Sequence, residues 1–183
     1  LTYGGVSSAF LLFGLSYLYG MTGVLDLTAM GEALAVPSAR LVMVAYLFIL
    51  VGLGFKIAVA PFHLWAPDVY QAAPTPAAAW IASGSKIAGV ALLLALLGPV
   101  SLASAHSSIV PLLLLMALAS MAVGNLGALR QANVKRLLAY SAIANAGYIL
   151  VAVVAFTDAG RAAAMFYAIV YAIATLGAFA VVS

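Results

Sequence analysis

Residues 52–89 read GLGFKIAVAPFHLWAPDVYQAAPTPAAAWIASGSKIAG, and this stretch decides how the rest of the sequence is interpreted. It holds two lysines, Lys56 and Lys86, thirty residues apart within otherwise apolar sequence. Four prolines, one histidine and one aspartate lie between them. Because apolar surroundings disfavour an ammonium group, folding alone gives no reason for the two lysines. We therefore interpret the pair as the functional core of the chain.

The composition is that of a membrane protein. Hydrophobic residues make up 67% of the chain, charged residues 6%, and the mean hydropathy is +1.24. Soluble domains carry about 25% charged residues, so this chain cannot cover a water-facing surface. The absence of cysteine excludes disulfides and thiolate sites. The net charge of +3 comes from scattered basic residues, so we expect no nucleic-acid partner.

The apolar residues fall into six segments of about twenty residues, long enough to cross about 30 Å of hydrocarbon as helices. The sequence thus predicts an all-α polytopic membrane protein whose second span is broken. The predicted spans are 3–20, 41–60 with a half-helix at 62–70, 77–98, 109–129, 137–156 and 162–183. The chain opens on Leu1, without a signal peptide, and stops after an apolar run. We expect residues 1–183 to be a partial transmembrane domain, either an internal piece of a longer protein or a split-gene product.

The loops predict an orientation in the membrane. Loop 130–136 holds the basic cluster of Arg130, Lys135 and Arg136. The positive-inside rule places this loop in the cytoplasm. Because successive spans alternate in direction, loop 61–76 should lie on the same side.

Lys86 lies ten residues into the third predicted span, close to the membrane centre. A charged side chain there costs about 2.5–3.5 kcal/mol on insertion scales, and such residues usually mark ion or proton paths. Burial without a partner disfavours the charged form, so this lysine could bind and release a proton. The alternative is a lysine neutralised by a structural partner. We expect the third span to be a continuous helix.

Lys56 is predicted to lie beside a break in the second span. Pro61 removes a backbone hydrogen bond and clashes with the carbonyl of Ile57, so the helix should end between Lys56 and Phe62. A broken helix with an ion-handling group at the break recurs in transporters. Alternatively, the Lys56 side chain snorkels to the membrane interface. His63 follows the break, either as a relay or as a packed or hydrogen-bonded histidine.

Two polar stripes appear at helical spacing on the fifth and sixth spans. Either stripe could hold water along a hydrophilic axis or bond across helices. Their members are Ser141, Asn145 and Tyr148, with Tyr140 beside them, and Tyr167, Tyr171 and Thr175. Together with the lysines they predict a wet path, and we expect Lys56, Lys86, Asn145 and one of Tyr140 or Tyr148 to point into the bundle. The sequence contains no phosphate-binding, metal or redox-cofactor motif.

Several segments carry a family resemblance. FKIAVAPFHLWAPDVYQAAPTP, SGSKIAG, NVKRLLAYSAIANAGYILVA and YAIATLGAFAVV resemble the antiporter-like subunit N of respiratory complex I, whose mitochondrial equivalent is NADH dehydrogenase subunit 2. The resemblance covers nearly the whole chain and is weakest in loops 21–38 and 99–108. PDVYQAAPTP and the lysine of SGSKIAG favour subunit N over its L and M relatives.

The resemblance implies roles for both lysines. In that family a lysine at a helix break pairs with a glutamate on a preceding helix, and a second lysine continues the proton path. These roles fall on Lys56 and Lys86, while the glutamate and a later lysine fall outside residues 1–183. Where the family commonly has histidine, this chain has Asn145, which cannot titrate. Water, Tyr140 or Tyr148 would have to substitute for it.

The resemblance predicts a proton-translocating membrane subunit of a complex I-type NADH:quinone oxidoreductase, in a bacterial inner membrane or alternatively the mitochondrial one. NADH, FMN, iron–sulfur clusters and quinone would be bound by other subunits, with no cofactor or metal in this chain. The expected partners are other membrane-arm subunits, including neighbouring antiporter-like subunits, and the lipid bilayer. One alternative is a component of a multi-subunit cation/proton antiporter. Another is a membrane scaffold whose lysines only pair structurally.

Overall fold

The computed structural model describes residues 2–101 and 105–182, and within those ranges it contains helices and no strand. The α-helices are α1 (Thr2–Thr22), α2 (Leu27–Ala33), α3 (Ala39–Ile57), α4 (Trp65–Ala72), α5 (Thr75–Ala82), α6 (Gly84–Leu97), α7 (His106–Ala128), α8 (Val134–Val154) and α9 (Asp158–Val182). A 3₁₀ turn over Gly98–Ser101 follows α6. Part of the predicted 99–108 loop lies outside the described residues.

Six segments are long and apolar enough to cross a membrane. They are Thr2–Thr22, Ala39–Ile57, Thr75–Val100, His106–Ala128, Val134–Val154 and Asp158–Val182. The prediction of an all-helical protein with six transmembrane spans is therefore confirmed. The observed boundaries differ from the predicted ones by a few residues, as at α7, which begins at His106 rather than at residue 109.

The predicted loop 21–38 contains the short helix α2, which sequence analysis missed. The Asp26 carboxylate accepts hydrogen bonds from the backbone N–H groups of Thr28 and Ala29, both at 2.9 Å, and so caps the helix. A hydrogen bond from the Thr28 hydroxyl and the two backbone hydrogen bonds hold the pKa of this exposed carboxyl below its usual range. An aspartate directly before a short helix-forming run was the available signal.

The third span is not the continuous helix that the sequence predicted. Its α-helical geometry is interrupted at Ser83 (φ −109°, ψ −79°), which separates α5 from α6. The Ser83 hydroxyl donates to the carbonyl of Ala79 at 2.6 Å. Serine side chains that bond back to the preceding turn compete with the helical backbone and bend helices. Lys86 consequently lies in the first turn of α6 rather than in mid-helix.

The helices approach closely where small residues face each other. A Cβ atom on Gly124 of α7 would overlap Ala144 of α8, and one on Gly147 of α8 would lie 2.8 Å from the Ala117 carbonyl oxygen of α7. Such glycines let helix backbones approach within a membrane. One hydrophobic cluster joins α1, α2, α3, α6, α7, α8 and the start of α9, and a second joins α4, α5, α8 and the end of α9. The interface of α6, α8 and α9 borders this second cluster at Ala142.

Candidate functional site

Lys86 extends from the first turn of α6 towards α8 and α9, and only 3% of the residue is exposed. Its Nζ donates a hydrogen bond to the backbone carbonyl of Ala142 on α8. The same atom lies over the ring of Tyr171 on α9, 5.1 Å from the ring centroid. An ammonium within about 6 Å of a ring centroid is attracted by the aromatic quadrupole. The expectation that Lys86 points into the bundle is confirmed.

Lys86 has no carboxylate partner among the described residues. The two ion pairs found there join Arg136 to Asp68 at 2.6 Å and Arg161 to Asp158 at 3.8 Å. A buried charge without an opposite charge carries a large desolvation cost, which one carbonyl and one ring face offset only in part. The surroundings therefore stabilise the charged form of Lys86 only weakly. Such an environment suits a lysine that has to release a proton.

The helix that carries Lys56 ends one residue after it. Helix α3 ends at Ile57, because Ala58 takes the left-handed conformation (φ 59°, ψ 49°), and the next helix begins at Trp65. The Ala60–Pro61 peptide bond between them is cis. The predicted break is confirmed, whereas the half-helix after it begins at Trp65 rather than at residue 62.

Side chains from outside the broken segment satisfy its backbone groups. The N–H of Ala60 donates to the Ser120 hydroxyl on α7 at 2.9 Å, and the Phe55 carbonyl accepts from the Trp65 indole N–H at 2.9 Å. Peptide groups left unpaired in hydrocarbon are costly, so a break at membrane depth needs such partners. Sequence analysis missed both residues. The isolated hydroxyl of Ser120 in an apolar run could have indicated a polar partner inside the bundle. Nothing in the sequence indicated which group the Trp65 indole would bind.

Lys56 itself lies in the last turn of α3, where the helix dipole favours a positive charge. Its stem packs against α6, because a Cβ on Gly89 would lie 3.5 Å from Lys56 Cγ and 2.6 Å from Ile57 Cγ2. The side chain is exposed and lines a groove of about 1160 Å³ between α1, α3 and α4, as does Asp68. Within the described ranges the residue is exposed while its stem lies against α6, as is common for a lysine at a helix end, and the expectation that Lys56 points into the bundle stays a prediction.

His63 lies beyond the break and faces a different groove. Its half-buried side chain lines an apolar groove of about 550 Å³ between α3 and α7, with Leu112 and Met116. Its Nδ1 atom is buried and has no hydrogen-bond partner among the described residues. The structure does not bring His63 to the groove of Lys56, and its role as a relay stays a prediction.

Asn145 on α8 is held by hydrogen bonds at both ends of its amide. Its Nδ2 donates to the carbonyl of Ser141 at 2.8 Å and to the Ser141 hydroxyl at 3.3 Å. Its Oδ1 accepts from the Tyr167 hydroxyl on α9 at 2.6 Å. Asn145 lies three residues after Ala142, the partner of Lys86, so the two positions share one side of α8.

The other candidate tyrosines differ in their surroundings. Tyr148 is 39% exposed, and its hydroxyl accepts from Asn125 of α7 at 3.2 Å. Tyr140 is half-buried, and its ring fills the space beside Gly127, where a Cβ would overlap it. Among the tyrosines predicted for the path, Tyr171 is therefore the one whose ring the structure places against a lysine.

Loop 130–136 contacts the half-helix after the break. Arg136 Nη1 donates to Asp68 at 2.6 Å and to Gln71 at 3.1 Å, and Lys135 Nζ donates to the carbonyl of Ala73 at 3.2 Å. The prediction that loops 61–76 and 130–136 lie on one side of the bundle is confirmed. Their placement in the cytoplasm stays a prediction.

A comparison of the sequence with models of protein families identifies a match over the whole chain. The family described as "NADH:quinone oxidoreductase/Mrp antiporter, TM" matches residues 1–183. The chain belongs to this family.

Curated relatives in the antiporter family carry the subunit name that the sequence suggested. The chain is 46% identical over 181 residues to NADH-quinone oxidoreductase subunit N of Halorhodospira halophila, covering 98% of this chain and 37% of that protein. It is 48% identical over 180 residues to subunit N of Chromohalobacter salexigens, covering 97% of this chain and 37% of that protein. The resemblance to subunit N is confirmed.

Solved structures agree in fold. Respiratory complex I from Thermus thermophilus with bound aureothin contains a chain with a TM-score of 0.82 and 42% identity, covering 100% of this chain and 38% of that one. A chain of the archaeal membrane-bound sulfane sulfur reductase has a TM-score of 0.85 and 32% identity, covering 96% of this chain and 36% of that one. A chain of the Mrp complex from Dietzia has a TM-score of 0.84 and 24% identity, covering 97% of this chain and 33% of that one. Because the identity is so low, this match shows a shared fold alone. The chain spans under two-fifths of the length of each of these relatives.

Proposed function

We propose that this chain is part of a proton-translocating membrane subunit of a complex I-type NADH:quinone oxidoreductase, and that Lys86 binds and releases the transported proton. The observation that carries the proposal is the Lys86 ammonium, 3% exposed and held by one carbonyl and one ring face. A carboxylate would hold the proton firmly, whereas this environment leaves the charged form only partly compensated. The subunit N relatives support the same function.

Lys56 acts in this proposal as a gating charge at the break. Its stem rests on Gly89, three residues after Lys86 on α6, so the break and the buried lysine meet on one helix. Beyond Lys86 the path continues through water beside Asn145, Tyr140 and Tyr148. Asn145 orients this water without titrating, because an amide carries no exchangeable charge at physiological pH.

The wider assembly is proposed on the same grounds. Electrons would pass from NADH through FMN and iron–sulfur clusters to quinone in other subunits, with no redox centre in this chain. Other membrane-arm subunits, including antiporter-like neighbours, would pack against it. We place the complex in a bacterial inner membrane, since the relatives named above are bacterial.

A multi-subunit cation/proton antiporter is the second candidate, because the matching family includes Mrp antiporters. The subunit N relatives, at 46% and 48% identity, favour complex I over the Mrp complex of Dietzia, at 24%. Purifying the native complex separates the two. Flavin and iron–sulfur subunits should co-purify, and their absence from an active, intact complex would favour the antiporter.

Substitution of Lys86 in the intact complex tests the proposed function. Lys86→Ala should lower proton pumping and coupled quinone reduction about tenfold or more while the complex still assembles, since alanine carries no proton. Lys86→Arg should be nearly as harmful because guanidinium does not deprotonate. Lys86→His should retain part of the activity. The matched control is Lys135→Ala, which removes the same charge from loop 130–136 and should leave pumping intact.

A structural role for Lys86 orders these variants differently. If the ammonium only holds helices together, Lys86→Arg should be the mildest change because it keeps the charge and its partners. Normal pumping by Lys86→Arg, combined with failed assembly of Lys86→Ala, would establish the scaffold alternative. Pumping is measured in inverted membrane vesicles, and assembly by native gel electrophoresis.

A further inference from the structure

Tyr171 presents its ring, rather than its hydroxyl, to Lys86. The Nζ atom lies over the ring at 5.1 Å from its centroid, within the distance at which the quadrupole attracts a cation. The Tyr171 hydroxyl lies beside the Thr175 side chain, one turn further along α9. The two ends of this side chain therefore have separate contacts.

Tyr167, one turn earlier on α9, provides the contrast. Its hydroxyl donates to Asn145 at 2.6 Å, and its ring meets the ring of Tyr148 edge to face, with centroids 6.4 Å apart. Tyr167 thus acts through its polar end, whereas Tyr171 meets the lysine through its π face.

We propose that Tyr171 is a positioning residue whose ring face, acting in place of a carboxylate, stabilises the protonated form of Lys86. This inference rests on the proposed function, because it assigns the group that balances the two protonation states of the transporting lysine. The quadrupole attracts the ammonium but not the neutral amine, so the ring acts on one protonation state alone. A carboxylate would act in the same direction but much more strongly at this burial.

The alternative for Tyr171 is a relay through its hydroxyl. A relay needs the O–H group, whereas the ring-face role needs the electron density of the ring. Tyr171→Phe removes the first and keeps the second, so it separates the two roles. Because the ring also packs against the second hydrophobic cluster, its shape has to be kept in any test of the ring face.

The experiment replaces Tyr171 in the intact complex by phenylalanine and then by phenylalanines carrying one, two and three ring fluorines. Fluorine withdraws electron density from the π face while leaving the ring nearly unchanged in shape. Tyr171→Phe should keep pumping near the parent level. Each added fluorine should lower it stepwise, to a total loss of roughly three- to tenfold. The control is the same series at Phe179, a buried ring on α9 that meets Tyr70 and should respond little.

Two results would overturn the inference. Loss of pumping or of assembly in Tyr171→Phe would show that the hydroxyl, as relay or structural bond, is what matters. A response to fluorine at Tyr171 no larger than at Phe179 would show that the ring only fills space. Lys86→Ala is measured in parallel: if it pumps normally, the proposed function itself fails. If it is inactive and the fluorine series is flat, the ring-face role alone fails.

Discussion

The two lysines occupy opposite kinds of environment, although the sequence places both in apolar segments. Lys86 is 3% exposed and surrounded by three helices, with a carbonyl and an aromatic ring as its contacts. Among the described residues Lys56 is exposed at the end of α3, where the helix dipole favours a positive charge, and it lines a groove. The same residue type is therefore enclosed by helices at one position and lies at a helix end beside a groove at the other.

This difference in environment indicates different roles for the two lysines, which sequence analysis had placed on one proton path. A lysine whose charged form is disfavoured is suited to exchanging a proton. A lysine in the last turn of a helix is suited to placing a positive charge beside an irregular segment of the backbone. We therefore propose Lys56 as a gating charge rather than a proton carrier.

The largest effect should come from arginine substitution at the two positions. Lys86→Arg should reduce pumping about tenfold or more, because a guanidinium keeps its proton. Lys56→Arg should stay within about twofold of the parent rate, because it keeps the charge in an open groove. Pumping in inverted vesicles, normalised to assembled complex, measures both.

Lys56→Ala serves as the companion variant, since it removes the charge that Lys56→Arg preserves. It should pump clearly less than Lys56→Arg. Equal and severe losses for Lys56→Arg and Lys86→Arg would mean that both lysines exchange protons, and the distinction between the two environments would then have no functional meaning.

A smaller effect is expected where the two regions touch. Gly89→Val places atoms against Ile57 and the Lys56 stem, and overpacking of this kind typically costs about 1–3 kcal/mol. The thermal midpoint for loss of quinone reduction should fall, and pumping should fall with it. Gly177→Val is the control, because a Cβ there meets no atom within 4 Å. Equal tolerance of the two valines would contradict a tight contact between α3 and α6.

The smallest effect should come from the ion pair that holds the half-helix after the break. Arg136→Gln removes the contact with Asp68, whose side chain is 72% exposed, so the loss of stability should be small. The difference from the parent in thermal midpoint should shrink at high salt, because exposed pairs are screened. Arg161→Gln, whose ion pair spans 3.8 Å, should shift the midpoint less. A salt-independent shift would point to packing rather than charge.

Features governed by local chemistry could be predicted from the sequence. The break after Lys56 follows from the missing N–H and fixed ring of Pro61, which act whatever the tertiary structure. The burial of Lys86 follows from its position ten residues into a long apolar run, whereas Lys56 lies at the end of one. Even α2 had a local signal, because Asp26 precedes it as a capping residue.

Features that depend on contacts between distant residues could not be predicted. Ser120 reaches the broken segment from sixty residues away, and nothing in its own helix indicates which N–H it will bind. The ring of Tyr171 was predicted to lie on a polar stripe, but its alignment over Lys86 depends on how α6 and α9 pack. The groove that Lys56 lines likewise depends on how α1, α3 and α4 pack.

The hydrogen bond from Ala60 to Ser120 also affects how variants of this chain should be interpreted. Replacing Ser120 by alanine or valine raises the hydropathy of α7 and so improves its score as a membrane span. Yet it removes the acceptor for a buried peptide group sixty residues away in sequence. A neutral-looking change in one span would then act at the break beside Lys56, because unpaired peptide groups are poorly tolerated in hydrocarbon. Mutational tolerance in this domain follows the hydrogen bonds of its irregular backbone rather than the hydropathy of the helix that carries the substitution.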